Sequence, residues 1–68
     1  MNTIFQLNGK PVRTMANQTV SALLKEQGID QSQVVVEINR NIINRDAFGT
    51  TVINPDDAVE VLRFVGGG

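Results

Sequence analysis

The chain has 68 residues and a formal net charge of -1, from 6 basic and 7 acidic side chains. It contains neither cysteine nor histidine, and therefore lacks disulfides, a thiol nucleophile, the usual zinc ligands and the usual proton-transfer group. We expect one small domain that is not an enzyme and that binds no metal or cofactor of its own.

Composition and charge also argue against two kinds of partner. The charges are spread along the chain, without the basic stripe that nucleic-acid backbones require. No signal-peptide pattern begins the chain, and no stretch approaches the ~20 apolar residues of a membrane helix. We expect a cytoplasmic protein that binds neither nucleic acid nor membranes.

The first elements form a hairpin. Phe5 and Leu7 alternate with Gln6, and Asn8-Gly9 follows, a pair that tolerates the positive φ angles of a tight turn. The returning strand covers residues 12–14. Because Pro11 has no N–H to donate, this strand is expected at a sheet edge.

The only substantial helix is predicted from Thr19 to Gln27. Its apolar residues Val20, Leu23 and Leu24 have the spacing of one helix face. Thr19 is of a type that caps helix N-termini, and Gly28 can adopt the left-handed conformation that ends a helix.

The β-branched run VVVEI at residues 34–38 predicts a strand. Asn39-Arg40 is expected to turn it back into a short partner at residues 42–43, although Arg40 stands where glycine normally supplies positive φ. Residues 44–48 are expected to form one helical turn, with Phe48 plugging the end of the core.

A turn at residues 54–57 then leads into the last strand, predicted at residues 58–65. The order of hairpin, helix, short hairpin and terminal strand predicts an α+β, β-grasp (ubiquitin-like) fold. In this fold one main helix packs across one face of a four- to five-stranded mixed sheet. We expect the first and last strands to be parallel neighbours near the centre, since the last is the most continuously apolar.

The chain closes with Gly66, Gly67 and Gly68. Residues 1–65 are expected to form the domain and residues 66–68 a flexible tail, because nothing there offsets an ordering cost of ~1–2 kcal/mol per residue. A tail without side chains can carry its terminal carboxylate through a channel too narrow for a Cβ. A frayed end has the same composition, so the glycines alone do not decide between these readings.

The whole chain resembles the thiamine-pathway sulfur carriers of the ThiS family. The resemblance rests on Asn8-Gly9, on the helix start Thr19-Val20-x-x-Leu23-Leu24, and on the closing pattern VEV-x-x-FVGGG of residues 59–68. Arg40 departs from a frequent family glycine, Phe48 from a tryptophan, and Asp56-Asp57 from Asp-Gly-Asp. These departures affect turns and packing.

The resemblance implies that an activating enzyme adenylates the terminal carboxylate with ATP and magnesium, and that sulfur then displaces AMP to leave a thiocarboxylate. By resemblance Gly68 carries the reacting carbon, and Gly66 and Gly67 thread the partner's channel. The implied partners are an adenylating, ThiF-like activating enzyme, a sulfur donor such as a cysteine desulfurase, and a ThiG-like thiazole synthase.

The last strand also offers a docking surface. If Val59 and Val61 face the helix, alternation places Leu62 and Phe64 on the opposite face together with Glu60. We expect Leu62 and Phe64 to contact the activating enzyme; the alternative is that they fill the core. Asp56-Asp57 and Arg45-Asp46 are interpreted as solvated turn residues rather than metal ligands.

Other functions share this pattern. A molybdopterin-type sulfur carrier and a ubiquitin-like protein modifier have the same fold, diglycine end and activation chemistry. A plain β-grasp interaction domain, with incidental glycines, is the third alternative.

Overall fold

A computed structural model describes residues 2–64. Five strands and one α-helix lie within this part of the chain: β1 Asn2–Leu7, β2 Lys10–Met15, α1 Val20–Glu26, β3 Val34–Ile38, β4 Asn41–Ile43 and β5 Ala58–Arg63. Single 3₁₀ turns occupy Gln31–Gln33 and Arg45–Ala47. Over these residues, no helix is long and apolar enough to cross a membrane.

The strands form one mixed sheet in the order β2-β1-β5-β3-β4. β1 and β5 are parallel neighbours and β5 is the central strand, as predicted. The strand containing Pro11 is at the edge, also as predicted. The predicted α+β, β-grasp fold is therefore confirmed.

Helix α1 covers one face of the sheet. Two threonines, Thr3 and Thr14, are buried in the domain. The apolar core between helix and sheet consists of Phe5, Val20, Leu23, Leu24, Val34, Val36, Ile38, Phe48, Ile53 and Val59. Thr19 and Gly28 cap the helix as predicted: the Thr19 hydroxyl accepts a hydrogen bond from Ala22 N (3.1 Å), and Gly28 has φ +71°. The opposite face of the sheet, called the outer face below, has no element of the described chain packed on it.

The turn between β3 and β4 places two non-glycine residues at positive φ, Asn39 at 52° and Arg40 at 70°. A hydrogen bond supports the conformation of Asn39. Its Oδ1 accepts from Ala58 N (2.9 Å), which ties the turn to the start of β5. Arg40 is exposed, and a left-handed conformation costs a residue with a Cβ ~1–2 kcal/mol.

Replacing Arg40 with glycine is therefore expected to stabilise the domain. The removed strain of ~1–2 kcal/mol is partly offset by the ~0.5–1 kcal/mol of extra chain entropy that glycine loses on folding, which leaves a net gain of up to about 1.5 kcal/mol. Urea denaturation followed by circular dichroism measures it. Arg40→Ala, which removes the charge and keeps the Cβ, is the matched control and should give no gain. An equal gain in both variants would assign the effect to charge instead of backbone strain.

Candidate functional site at the end of the last strand

β5 leads toward the glycine tail, and its two edges are held differently. On one side β3 pairs with it along its whole length, up to Val34 opposite Arg63. The next amide, Phe64 N, donates to Gln33 O at 2.9 Å. The chain is thus fixed to the sheet as far as Phe64, although the strand itself ends at Arg63.

On the other side β1 turns away at Asn8-Gly9, and the Asn8 side chain takes over its pairing. Asn8 Oδ1 accepts a hydrogen bond from Val61 N at 2.8 Å, and Asn8 Nδ2 donates to Val61 O at 3.3 Å. One amide side chain therefore extends the sheet by one residue toward the tail. Sequence analysis identified Asn8 only as a turn residue, because its second role depends on a contact 53 residues away.

The tail lies beyond this point. Val65 and the three predicted tail residues Gly66, Gly67 and Gly68 fall outside the described residues. Their roles in sulfur attachment and threading, and the boundary of the domain at residue 65, remain predictions. Phe64 is the last residue that the structure places.

The predicted outward face of β5 is confirmed. Val59 is 1% exposed and belongs to the core, whereas Leu62 and Phe64 are 50% and 54% exposed. The alternative that Leu62 and Phe64 fill the core is wrong. Their role in docking a partner stays a prediction.

Two further residues extend this surface, and sequence analysis missed both. Val35 lies directly opposite Leu62 on the neighbouring strand, and Ile42 on β4 is 71% exposed. Val35, Ile42 and Phe64 line one open groove of about 410 Å³. We call Val35, Ile42, Leu62 and Phe64 the apolar strip. Val35 is half-buried and the other three are exposed. Apolar side chains gathered on a surface in this way commonly mark a contact surface.

A pair of carboxylates interrupts the apolar strip. Glu37 on β3 lies directly opposite Glu60 on β5, and Ile42 lies opposite Glu37 on its other side. Side chains placed opposite each other have Cβ atoms ~4.5–5.5 Å apart, and like charges directly opposite each other destabilise a sheet. Glu60 was predicted on this face, but its opposition to Glu37 follows from a strand register that the sequence alone does not define.

The other acidic residues have structural or solvent-exposed positions. Asp46 and Asp56 are exposed turn residues, as predicted. Asp57 is a half-buried residue of the predicted turn, and its carboxylate accepts hydrogen bonds from Asn54 N (2.8 Å) and Asn39 Nδ2 (3.0 Å). Among residues 2–64, no group of three or more acidic side chains is placed to hold a metal ion.

Asp30 illustrates the same structural use of a carboxylate. It caps the 3₁₀ turn that precedes β3, accepting hydrogen bonds from the hydroxyl and the amide of Ser32 at 2.7 and 2.9 Å. These two bonds, with a smaller contribution from Arg45, hold the pKa of Asp30 below its ordinary value.

The fold defines a class, the ubiquitin-like β-grasp proteins, and in the sequence three glycines follow shortly after the last, central strand. Comparison with known proteins identifies the family within it. The ThiS family model matches residues 5–68. This chain belongs to the ThiS family.

Individual relatives agree with that assignment. The crystal structure of the thiamine biosynthesis protein ThiS from Geobacter metallireducens superposes with a TM-score of 0.82, at 38% identity over 100% of both chains. The sulfur carrier protein ThiS of Bacillus subtilis is 33% identical over 66 residues, which cover 96% of this chain and 100% of the relative.

A second kind of relative is much longer. A thiazole synthase from Magnetococcus marinus is 39% identical over 62 residues, which are 91% of this chain but 19% of that protein. This chain therefore spans about a fifth of the length of such relatives. A ThiS-like segment thus occurs within a longer chain named as a thiazole synthase.

Proposed function

We propose that this chain is a sulfur carrier protein of thiamine biosynthesis, with the carboxylate of Gly68 as the site of sulfur attachment. The observation that carries the proposal is the ThiS family match, which runs through residue 68. The described structure adds a rigid support. β5 is the central strand, and at Val61 one of its edges pairs with β3 while the other is hydrogen-bonded to the Asn8 side chain.

The chemistry required of the carrier is small. A carboxylate is a poor electrophile, so its oxygen first attacks the α-phosphorus of ATP and pyrophosphate leaves. The resulting acyl-adenylate has AMP as a good leaving group, and a sulfur nucleophile that attacks the carbonyl carbon displaces it. ATP and magnesium belong to the activating enzyme, and the carrier is its protein co-substrate.

In this proposal the glycine tail lets the carboxylate enter a narrow channel of the partner. Gly66 and Gly67 present only backbone to the walls of the partner's channel, so the carboxylate of Gly68 can approach a nucleotide that a branched residue would not reach. The part of the chain that the structure describes ends at Phe64, four residues before the proposed reacting carbon of Gly68. A short tether keeps the carboxylate at a high effective concentration near the nucleotide.

Three partners follow from this function. A ThiF-like enzyme activates the carboxylate, a donor such as a cysteine desulfurase supplies the sulfur, and a ThiG-like thiazole synthase accepts it. The relative from Magnetococcus marinus supports the last of these, because a ThiS-like segment joined to a thiazole synthase keeps carrier and acceptor together. The ThiS family match favours this function over a molybdopterin-type carrier, a protein modifier or a plain interaction domain.

Intact-mass analysis tests the proposal. The chain is incubated with ATP, magnesium, a cognate ThiF-like enzyme and a sulfur source, and the C-terminal peptide is then examined. Replacement of one oxygen by sulfur is expected, and a chain extended by one residue after Gly68 should remain unmodified. Conjugates to lysine side chains would indicate a protein modifier instead, and an unchanged mass with an active enzyme would contradict the carrier assignment.

Phe64 provides a test of the docking surface. Truncating an interface anchor commonly costs ~2 kcal/mol or more, so Phe64→Ala should weaken binding to the activating enzyme about thirtyfold. The free energy of unfolding should change little, because the ring is 54% exposed. Met15→Ala is the matched control, since Met15 is 73% exposed on edge strand β2 and lies outside the apolar strip. Equal affinities for Phe64→Ala and the parent chain would remove Phe64 from the interface.

A further inference from the structure

Glu37 and Glu60 form an acidic pair within an otherwise apolar surface. They face each other across the two strands at the centre of the outer face, next to the row formed by Val35 and Leu62. Glu60 is exposed and Glu37 is half-buried. Both side chains therefore lie on the face of the sheet that any protein docked on the apolar strip would cover.

Docking changes the energetics of this pair. In the free chain, water screens the repulsion between the two carboxylates. A partner that covers the apolar strip removes that water, and a desolvated carboxylate without a compensating charge opposes binding. A partner surface that fits the strip therefore binds well when it brings a cation to this position. Without that cation, binding leaves two like charges uncompensated.

We propose, on the basis of the proposed function, that the activating enzyme places an arginine guanidinium between Glu37 and Glu60 when it docks on the apolar strip. The planar guanidinium has five N–H donors and can bind two carboxylates at once. It is also more weakly hydrated than a lysine ammonium, which suits a site bordered by Leu62 and Ile42. A hard metal cation would need more oxygen ligands than this pair provides.

The chain's own cations offer a rival explanation. Arg40, on the turn between β3 and β4, lines a groove together with Glu60. If Arg40 compensates Glu60 within the free chain, the pair has a structural function and no cation is required from a partner. The two explanations predict opposite effects on stability.

A variant in which both carboxylates are neutralised distinguishes between the two explanations. For the double variant Glu37→Gln with Glu60→Gln, we expect binding to the cognate ThiF-like enzyme to weaken at least about tenfold, while resistance to urea is unchanged or higher. Glu26→Gln is the matched control, because Glu26 is exposed on helix α1, away from the outer face. It removes one negative charge where the double variant removes two, and it should leave the affinity unchanged.

The enzyme side completes the test. The arginines on the enzyme surface that binds the carrier are changed to alanine one at a time. One of these enzyme variants should bind the parent chain more weakly, while its affinity for the double glutamine variant should be unchanged. Unchanged affinity of the double variant, or lowered stability with unchanged affinity, would overturn the inference. Sulfur loading of the parent chain is measured in parallel, so that failure of the carrier function itself is recognised separately.

Discussion

Replacing Gly67 with valine is expected to abolish activation of the chain. In the proposed mechanism Gly67 lies inside the partner's channel, where a branched side chain would collide with walls that fit backbone alone. A displacement of the reacting carboxylate by ~1 Å is enough to lower the rate about a hundredfold. ATP–pyrophosphate exchange with the cognate activating enzyme, followed by intact mass, measures the loss.

The effect should be confined to function. All core residues that the structure describes lie between Phe5 and Val59, so the free energy of unfolding is expected to stay unchanged in Gly67→Val. Gly49→Ala is a suitable control, because a Cβ at Gly49 would meet Ser21 Oγ at an ordinary 3.9 Å. Deleting Gly68, which withdraws the carboxylate from the nucleotide, should also impair exchange. Exchange that persists in Gly67→Val would contradict the threading mechanism.

Local signals explain why the order of elements could be predicted from the sequence. Asn8-Gly9, the Thr19 cap and the Gly28 end act through backbone conformations that depend on a few neighbouring residues. The alternation in β5 likewise indicated which face Leu62 and Phe64 occupy. These features do not depend on contacts with distant parts of the chain.

The missed features all depend on contacts between distant segments. The bond between Asn8 and Val61, and the hydrogen bond from Asn39 to Asp57, join turns to a strand or to another turn. The opposition of Glu37 and Glu60 depends on the register between β3 and β5. A shift of one residue would send every side chain of a strand to the other face, so register requires the assembled core.

Phe48 gives the second large expected effect, on stability instead of activity. It is 2% exposed, follows the turn Arg45–Ala47 and packs in the core, and its carbonyl oxygen accepts a hydrogen bond from Ser21 N at 2.9 Å near the helix start. Phe48→Ala removes a ring from a thin core with no disulfide to support it.

The expected loss in the free energy of unfolding for Phe48→Ala is ~3–5 kcal/mol, a large share of the ~5–15 kcal/mol typical of a folded domain. Circular dichroism in urea is the appropriate measurement, because the chain has no tryptophan or tyrosine to report by fluorescence. Phe48→Leu, which keeps most of the apolar volume, should lose less. Phe64→Ala removes a ring of the same kind from the apolar strip. It should leave the denaturation midpoint close to that of the parent chain. A smaller loss for Phe48→Ala than for Phe64→Ala would reverse the assignment of these two rings, with Phe64 in the core and Phe48 on the surface.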